Sequence, residues 1–307
     1  MRAYDLLVVG ELNPDLILKG DVEPEFGQVE KLVDDFVVAP GGSSSIFAAS
    51  AAKMGLKVLY ASRVGDDIFG HYMIDALQTI GIDTRHVTVD PEIKTGATVV
   101  LSRGQDRAML TYLGSLGVIS SRDVNPDWFE QVRHLHVASP FLLTALRPYM
   151  PEMMRQAKAK GMTTSLDTNW DPSETWQLDG LFDYLDVFLP NENELMAITG
   201  VNDIDGAIAA MAPRVPVLAV KRGADGATGV QGGVRVDVPA YPVDVKDTTG
   251  AGDTFDGGFL AAWLAGKPLA DCLRYGAACG GLTTTVIGGF NGQPSWDQVE
   301  AYIRAHS

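Results

Sequence analysis

The sequence predicts an α/β fold: a mainly parallel central sheet with helices on both faces, in three layers. Short apolar, β-rich runs alternate with longer segments of helical periodicity, and this alternation is typical of βαβ units. The chain has 307 residues, of which 46% are hydrophobic, so it is long enough to bury one large core. Because it has no linker-like, low-complexity or repeated tract, we expect one domain over residues 1–307.

Six apolar runs are the candidate strands of this sheet, and helical patterns fill most of the gaps between them. The strands are expected at 6–9, 58–61, 134–138, 163–166, 186–189 and 217–220. The helices are expected near 43–54, 67–79, 147–160, 192–199 and 203–212. A helical crossover between successive strands favours parallel pairing, because antiparallel neighbours need only a short turn.

Residues 12–38 and 95–113 depart from this alternation and predict a small second sheet. The first region contains alternating apolar positions around Leu16, Leu18 and Phe36 without a helix between them. The second has a β-rich run at 98–101, a turn at 103–106 and another run at 109–113, which indicates a hairpin. Because the first region directly follows the first strand, where ligands bind in such sheets, we favour a lid over a simple edge extension.

The formal net charge of −15 argues against nucleic acid and membranes as partners, because an acidic surface repels phosphate backbones and anionic lipids. The sequence shows no signal peptide and no apolar stretch of 18 or more residues, and it has two cysteines in a helical pattern. We therefore expect a cytoplasmic protein. An anionic ligand would have to be held by local groups: free backbone N–H groups, helix N-termini, a lysine or Mg²⁺.

The segment 247–255, Asp-Thr-Thr-Gly-Ala-Gly-Asp-Thr-Phe, carries the strongest chemical signal. Apolar residues recur at helical spacing from Phe255 onward, so a helix is expected to begin near 251–253. A Gly-Ala-Gly entry leaves N–H groups uncovered at the positive end of the helix dipole, where they can hold phosphate. Asp253 follows directly and can accept a hydroxyl proton. The simpler alternative is a carboxylate at the start of an ordinary buried helix.

A second glycine-rich segment, Pro-Gly-Gly-Ser-Ser-Ser at 40–45, leads into a helix of small residues that Gly55 ends. Gly41 and Gly42 would let a ligand approach the backbone closely, and a tight loop is the alternative reading. The chain has neither a dinucleotide-binding G-x-G-x-x-G after its first strand nor a P-loop, so phosphate chemistry here would be of another type.

Together these segments resemble the ribokinase-like (PfkB) carbohydrate kinase family. The segment 40–45 with its helix resembles the first signature of that family, and 247–253 resembles the second almost completely. Further matches follow in the same order along the chain, at 10–15, 167–169, 191–194 and 221–226. The resemblance spans nearly the whole chain. It implies the ribokinase-like fold, with the second sheet as its lid, and ATP-dependent phosphorylation of a hydroxyl on a small sugar or sugar-like molecule.

The resemblance also implies the groups that handle the acceptor. The catalytic groups expected from it are Asp253, as the general base, and an anion hole formed by the amides of Gly250, Ala251 and Gly252. The residues expected to hold the substrate are Asp15, Gly41, Gly42 and Asn169. A carboxylate such as that of Asp15 suits a polyol, because it accepts hydrogen bonds from two hydroxyls.

The cofactors implied by the resemblance are ATP and Mg²⁺. The residues expected at the nucleotide are Asn191, Glu194, Lys221, Gly223 and Gly226. Glu194 would hold Mg²⁺ through water, which suits an ion that loses its hydration shell reluctantly. Many members of the family also bind a monovalent cation such as K⁺, here through Asp247 and the Thr249 carbonyl, and some form homodimers through the lid.

Some positions depart from the family pattern and leave the substrate open. Ile46 stands where the family has an Asn that reaches the sugar, Asp171 lies where an arginine is common, and 277–281 lacks an Asn found beside adenine. Two alternatives therefore remain beside a sugar kinase. One is a nucleoside kinase of the same family, with which the apolar Ile46 is compatible, and the other is a non-catalytic sugar-binding or regulatory protein.

Overall fold

The computed structural model describes residues 2–103, 106–178 and 180–306, which form two β-sheets and eight α-helices. The strands of the central sheet are β1 (Tyr4–Val9), β4 (Val58–Gly65), β5 (Asp83–Asp90), β8 (Val132–Ala138), β9 (Thr163–Asp167), β10 (Val187–Phe188), β11 (Val217–Lys221), β12 (Ala227–Gln231) and β13 (Val234–Val238). The strands of the second sheet are β2 (Asn13–Lys19), β3 (Asp35–Gly41), β6 (Ala97–Arg103) and β7 (Asp106–Tyr112).

The central sheet has the strand order β13-β12-β11-β10-β9-β8-β1-β4-β5. All pairs from β5 to β11 are parallel, whereas β12 and β13 extend the sheet in antiparallel pairing. The mainly parallel sheet is thus confirmed, and all six predicted strands belong to it. β5, β12 and β13 were not predicted. β5 and β13 lie at the sheet edges and carry polar or charged residues between their apolar ones, so they lack the continuous apolar run of a buried parallel strand.

Helices cover both faces of this sheet. They are α1 (Ser43–Lys53), α2 (Ile68–Thr79), α3 (Met150–Ala159), α4 (Glu192–Thr199), α5 (Ile204–Met211), α6 (Ala251–Leu264), α7 (Leu269–Thr283) and α8 (Trp296–Ala305). Because side chains alternate along a strand, β1 sends Leu6 and Val8 to a core shared with α1, α2, α6, α7 and α8. It sends Leu7 and Val9 to a second core shared with α3, α4 and α5.

The five predicted helices correspond to α1 to α5, and α6 begins at Ala251 as predicted. The helical segment expected around Cys272 and Cys279 is α7, which extends beyond both cysteines. α8 was not predicted. Among the described residues no single helix is long and apolar enough to cross a membrane; α4 and the segment Ile204–Arg214 pass such a test only as a pair bent by 65°.

The second sheet, hereafter called the lid, has the order β3-β2-β6-β7, and three residues separate the end of β1 from the start of β2. The predicted hairpin is confirmed, since β6 and β7 pair antiparallel; its predicted turn at 103–106 includes residues 104 and 105, which lie outside the described residues. Directly paired residues share a face of a sheet, so Asp15, Thr98 and Thr111 lie on one face of the lid. This face borders a cavity that lies beneath the lid.

Candidate active site

The start of α6 separates two cavities at the carboxyl edge of the central sheet. The larger cavity, of about 670 Å³, lies beside α6 and α7 and is bordered by Lys221, Ala251 and Gly252. The lid cavity, of about 490 Å³, lies beneath the lid and is bordered by Gly250 and Asp253. Molecules bound in the two cavities would therefore meet at one helix terminus, on the edge where open parallel sheets bind ligands.

Gly250 gives α6 an open start. Its φ of 72° lies in the left-handed region that favours glycine, and a Cβ there would lie 2.9 Å from Ile46 Cγ2. Among the described residues no side chain caps this helix, and the Ala251 N–H makes a long hydrogen bond of 3.3 Å to the Thr248 carbonyl. The first amides of α6 thus lie at the positive end of its dipole, between the two cavities, as an anion-binding site requires.

Asp253 lies in the first turn of α6 and borders the lid cavity, although the residue is only 7% exposed. Burial raises the pKa of its carboxyl group to about 6, and Asp167 adds to the increase. Lys221, a hydrogen bond from Ser43 and the charge of Arg107 act in the opposite direction. At neutral pH the carboxyl group is therefore mainly ionised, and it can accept a proton from a hydroxyl in this cavity.

Asp15 projects from β2 into the same cavity. Burial raises the pKa of its carboxyl group to about 7; the charge of Asp253 adds to this increase and that of Arg107 opposes it. Gly41 makes room for this side chain, because a Cβ at position 41 would lie 2.2 Å from Asp15 Cγ. Of the two predicted glycines, Gly41 therefore supports Asp15, whereas Gly42 borders the cavity itself.

Two amide side chains in the lid cavity carry buried polar atoms without a hydrogen-bond partner among the described residues. These atoms are Oδ1 of Asn13 and Nδ2 of the predicted substrate residue Asn169. Unpaired buried polar atoms are costly, so an acceptor and a donor here indicate a polar ligand. Ile46, which is 3% exposed, adds an apolar surface where the family has an amide.

Asn191 and Glu194 form the N-terminal cap of α4 and border the lid cavity. The Asn191 side chain accepts from the Glu194 N–H at 2.9 Å, and Glu194 accepts from the Asn191 N–H at 2.9 Å and from its Nδ2 at 2.6 Å. Burial raises the pKa of Glu194 to about 7, with Asp167 adding to the increase and Lys221 opposing it. The cap thereby holds an acidic group in a fixed position at the cavity wall.

The acidic groups fit a hydrated magnesium ion better than a protein cage. The part of the chain that the structure describes has no group of three or more His, Cys, Asp or Glu side chains that could hold a metal ion. Mg²⁺ commonly keeps several waters and is held by one or two carboxylates together with substrate phosphates. Glu194, fixed by Asn191, is the residue that would hold the ion through water.

Lys221 lies at the end of β11, between the carboxylates of Asp167 and Asp256. Its Nζ is 2.8 Å from Asp167 Oδ2 and 3.1 Å from Asp256 Oδ2. Although burial acts to lower it, these two carboxylates raise the pKa of Lys221. Lys221 therefore stays a cation at the wall of the larger cavity.

The larger cavity suits a nucleotide. Its walls are mostly small and apolar, with Gly223 and Gly226 of the turn between β11 and β12 on one side and Phe255 on another. Its volume lies within the range of small-molecule sites. Phosphate groups at one end would meet Lys221 and the open amides of α6, so the predicted nucleotide residues Lys221, Gly223 and Gly226 are brought together here.

Asp247 connects the segment before α6 with the segment after α7. Its Oδ1 accepts from Thr249 N at 2.9 Å and from Thr249 Oγ1 at 2.7 Å, and its Oδ2 accepts from Gly288 N at 3.0 Å. Although partial burial acts to raise it, these hydrogen bonds lower the pKa of Asp247. An ionised carboxylate supplies oxygen ligands that suit a monovalent cation, although each oxygen of Asp247 already accepts at least one hydrogen bond.

Glu11 has a role that the sequence did not reveal. Its carboxylate accepts from Ser44 N at 3.0 Å and from Ser44 Oγ at 2.6 Å, so it occupies the start of α1. Burial raises the pKa of Glu11 to about 7, against these hydrogen bonds. The start of α1 is therefore capped from within the protein, in contrast to the open start of α6.

For Arg107 the sequence favoured simple exposure on the hairpin over contact with an acidic sugar, but the structure places its side chain in the site. From β7 its Nη1 donates to Thr249 Oγ1 at 2.9 Å and to Thr248 Oγ1 at 3.4 Å, and its side chain borders the lid cavity. It thus connects the lid to the residues just before α6. The signal was the two-residue alternation along β7, which places residues 107, 109 and 111 on the cavity face.

Comparisons with known proteins find similarity over nearly the whole chain. The family model described as "pfkB family carbohydrate kinase" matches residues 3–296. The ribokinase of Bacillus subtilis (strain 168) is 26% identical over 307 residues, which cover 97% of this chain and 99% of the relative. The structure of Arabidopsis thaliana ribokinase complexed with ribose and ATP has a TM-score of 0.84 at 25% identity, with 98% and 99% coverage. The structure of fructokinase from Vibrio cholerae O395, bound to fructose, ADP and calcium ion, has a TM-score of 0.84 at 25% identity. The match covers 98% of this chain and 99% of that one.

Proposed function

The chain belongs to the pfkB family of carbohydrate kinases and is an ATP-dependent sugar kinase, and from that premise we propose that Asp253 is its general base. The observation that carries this proposal is the position of Asp253 in the first turn of α6, between the two cavities. We also propose that residues 1–307 act as one domain, since the site draws on elements from β2 to α7.

ATP with Mg²⁺ supplies the γ-phosphoryl group and part of the positive charge that its transfer requires. Asp15, Asn13 and Asn169 hold the acceptor in the lid cavity by hydrogen bonds to its hydroxyls, and Gly42 lets it lie close to the backbone. The amides of Gly250, Ala251 and Gly252 hold the group in transfer from the larger cavity. The acceptor hydroxyl would then lie near both Asp253 and the phosphoryl group held at the open helix start.

Asp253 receives the proton of the acceptor hydroxyl. A carboxyl group with a pKa of about 6 is mainly ionised at pH 7 and is a stronger base than an exposed aspartate. The lid excludes water from the lid cavity, so that the phosphoryl group passes to the sugar and not to solvent. Arg107 holds the lid against the start of α6.

Nucleotide binding is assigned to Lys221, Gly223 and Gly226 in the larger cavity, with Asn191 and Glu194 at the Mg²⁺ ion. Asp247 and the Thr249 carbonyl are proposed to bind K⁺, because this ionised carboxylate joins the segments before α6 and after α7. A cation there would fix the loop that leads into Gly250 and would raise activity without entering the reaction.

We further propose a homodimer formed through the outer face of the lid, in the cytoplasm. Four large apolar residues on this face are between 39% and 60% exposed: Phe36, Val38, Leu110 and Tyr112. Contiguous exposed apolar surface of this kind commonly marks a protein interface. Sedimentation velocity of the wild type and of Leu110→Asp tests this: the wild type should sediment as a dimer and the variant as a monomer.

An ADP-release assay over matched sugars, sugar acids and nucleosides, with and without K⁺, tests the proposed substrate class. We expect a sugar to raise ADP release well above the acceptor-free rate, and K⁺ to raise it further. If only nucleosides do so, the nucleoside kinase alternative, which the apolar Ile46 keeps open, replaces the sugar kinase. If an acceptor binds without any turnover, the non-catalytic alternative replaces both.

A further inference from the structure

The acidic residue Asp256 is not used by the chemistry proposed above. It lies on α6, three residues after Asp253, and its side chain is 1% exposed. Its Oδ2 contacts Lys221 Nζ at 3.1 Å, while its Oδ1 is buried without a hydrogen-bond partner among the described residues. A buried carboxylate with one unpaired oxygen needs an explanation.

Stability does not explain Asp256. Two carboxylates, those of Asp167 and Asp256, share the single ammonium group of Lys221, so this cluster contains more acidic groups than cations. Buried ion pairs are on average no more stabilising than well-packed apolar residues of similar volume. Aspartate is also a weak helix former in the interior of a helix such as α6. The cluster therefore points to a role in positioning Lys221.

The position of Lys221 relative to α6 indicates where Asp256 holds the ammonium group. A Cβ built at Gly252 would lie 3.5 Å from Lys221 Nζ, so the ammonium group lies beside the open helix start. Lys221 also borders the larger cavity. A lysine side chain is a flexible stem of four carbons, and Asp167 alone would fix its ammonium group from one side only. Asp256 supplies the second contact, from the helix that carries the proposed base.

We propose that Asp256 is a positioning residue, which holds Lys221 Nζ beside Gly252 so that the ammonium group meets a phosphate oxygen of the nucleotide. This rests on the proposed function of Lys221 in nucleotide binding. Asp256 thereby connects the acceptor side of α6, at Asp253, with the nucleotide side. It contacts neither the nucleotide nor the acceptor.

Calorimetric titration of Asp256→Ala with ADP, alone and with Mg²⁺, tests this proposal without depending on turnover. We expect its dissociation constant for ADP to rise about tenfold, as for coupled residues of one ion-pair network. Asp256→Asn keeps the shape of the side chain and one oxygen that can accept from Lys221. Its affinity for ADP should therefore fall only about threefold. This second variant carries the test if the alanine variant does not fold.

Asp123→Ala is the matched control. Asp123 is a buried carboxylate that contacts Arg63 Nη2 at 2.7 Å, and neither residue borders either cavity. We expect this control to lower thermal stability and to leave ADP affinity unchanged. If Asp256→Ala or Asp256→Asn weakens ADP binding no more than Asp123→Ala does, the proposal is overturned.

A double-mutant cycle with Lys221→Met decides whether Asp256 acts through Lys221. We expect the effect of the Asp256 substitution on ADP affinity to disappear once residue 221 is Met. An equal effect in both backgrounds overturns the proposal. Its failure is distinct from failure of the proposed function, which would appear as a wild type that binds ADP and phosphorylates no acceptor.

Discussion

The carboxyl groups around the lid cavity share one physical condition: they are buried before a ligand arrives. Burial raises the pKa of Glu11, Asp15 and Glu194 to about 7 and that of Asp253 to about 6. In Asp253, Lys221 and a hydrogen bond from Ser43 oppose this increase, because they stabilise the charged form. The group proposed as the base is therefore mainly ionised at neutral pH.

The pKa of Asp253 predicts the acidic limb of the pH–rate profile. Activity requires the ionised carboxylate, so kcat/KM for the acceptor should fall as the pH drops through about 6, because Asp253 becomes protonated. An exposed aspartate, with a pKa of about 4, would retain activity to a much lower pH. Initial rates at saturating ATP between pH 4.5 and 8.5 measure this limb, and a flat profile down to pH 4.5 would contradict the assignment.

Local sequence was enough to predict the open start of α6 and the aspartate in its first turn, because Gly250 to Asp253 form one continuous segment. It was not enough for the contacts of Lys221. Asp167 and Asp256 are 54 and 35 residues away from it in the chain. The order of β9, β10 and β11 brings Asp167 to Lys221, and the packing of α6 brings Asp256. Contacts of this range depend on how the elements pack, which local periodicity does not contain.

Among the elements, β7 of the lid and the start of α6 are directly connected. Arg107 donates to Thr249 Oγ1, and Thr249 donates to Asp247, so the lid contacts the segment that precedes the open amides. The charge of Arg107 also lowers the pKa of Asp253. The lid therefore affects the acceptor cavity both by closing it and by its charge.

Arg107→Gln should lower kcat/KM for the acceptor about tenfold, because the lid loses its hydrogen bonds to Thr248 and Thr249. The acidic limb of the pH–rate profile should also move to higher pH. Arg103→Gln is the matched control: Arg103 is another lid arginine, but it contacts the exposed Glu23 at 3.1 Å. Equal effects of the two substitutions would show that the contact with α6 is irrelevant.

The elements differ in how well the sequence predicts them. Buried parallel strands such as β1 and β8 are apolar runs, and they were predicted within one or two residues of their ends. The edge strands β5 and β13 have exposed polar residues among their apolar ones. These polar residues interrupt the apolar run by which a strand is recognised in the sequence. The lid hairpin was predicted. Which of its residues face the cavity depends on the pairing of β6 with β2, which the sequence alone does not give.

At the scale of the whole molecule, the site places several acidic groups together in a chain of net charge −15. Glu11, Asp15, Glu194 and Asp253 bind protons more tightly in the folded state than in the unfolded state, where carboxyl groups have pKa values of about 4. Their contribution to stability is therefore fully present below about pH 4 and is lost as the pH rises through 6 to 7.

The Tm of the ligand-free protein should accordingly fall between pH 5.5 and pH 8. His86, His134 and His136 act in the opposite direction, since burial lowers their pKa, but they are fewer than the four carboxyl groups. Asp15→Asn should reduce the fall, whereas Asp66→Asn on the surface should not. Differential scanning calorimetry measures both, and a Tm that is equal or higher at pH 8 would contradict the expectation.

Phosphoryl transfer by Asp253→Asn, measured in a single turnover with saturating ATP and the acceptor found by the ADP-release assay, is the most direct test. The substitution keeps the size of the side chain and removes its ability to accept a proton. We predict that ATP and the acceptor still bind, while the rate of transfer falls by a factor of about 100 to 10,000. A variant that transfers the phosphoryl group at the wild-type rate would contradict the account.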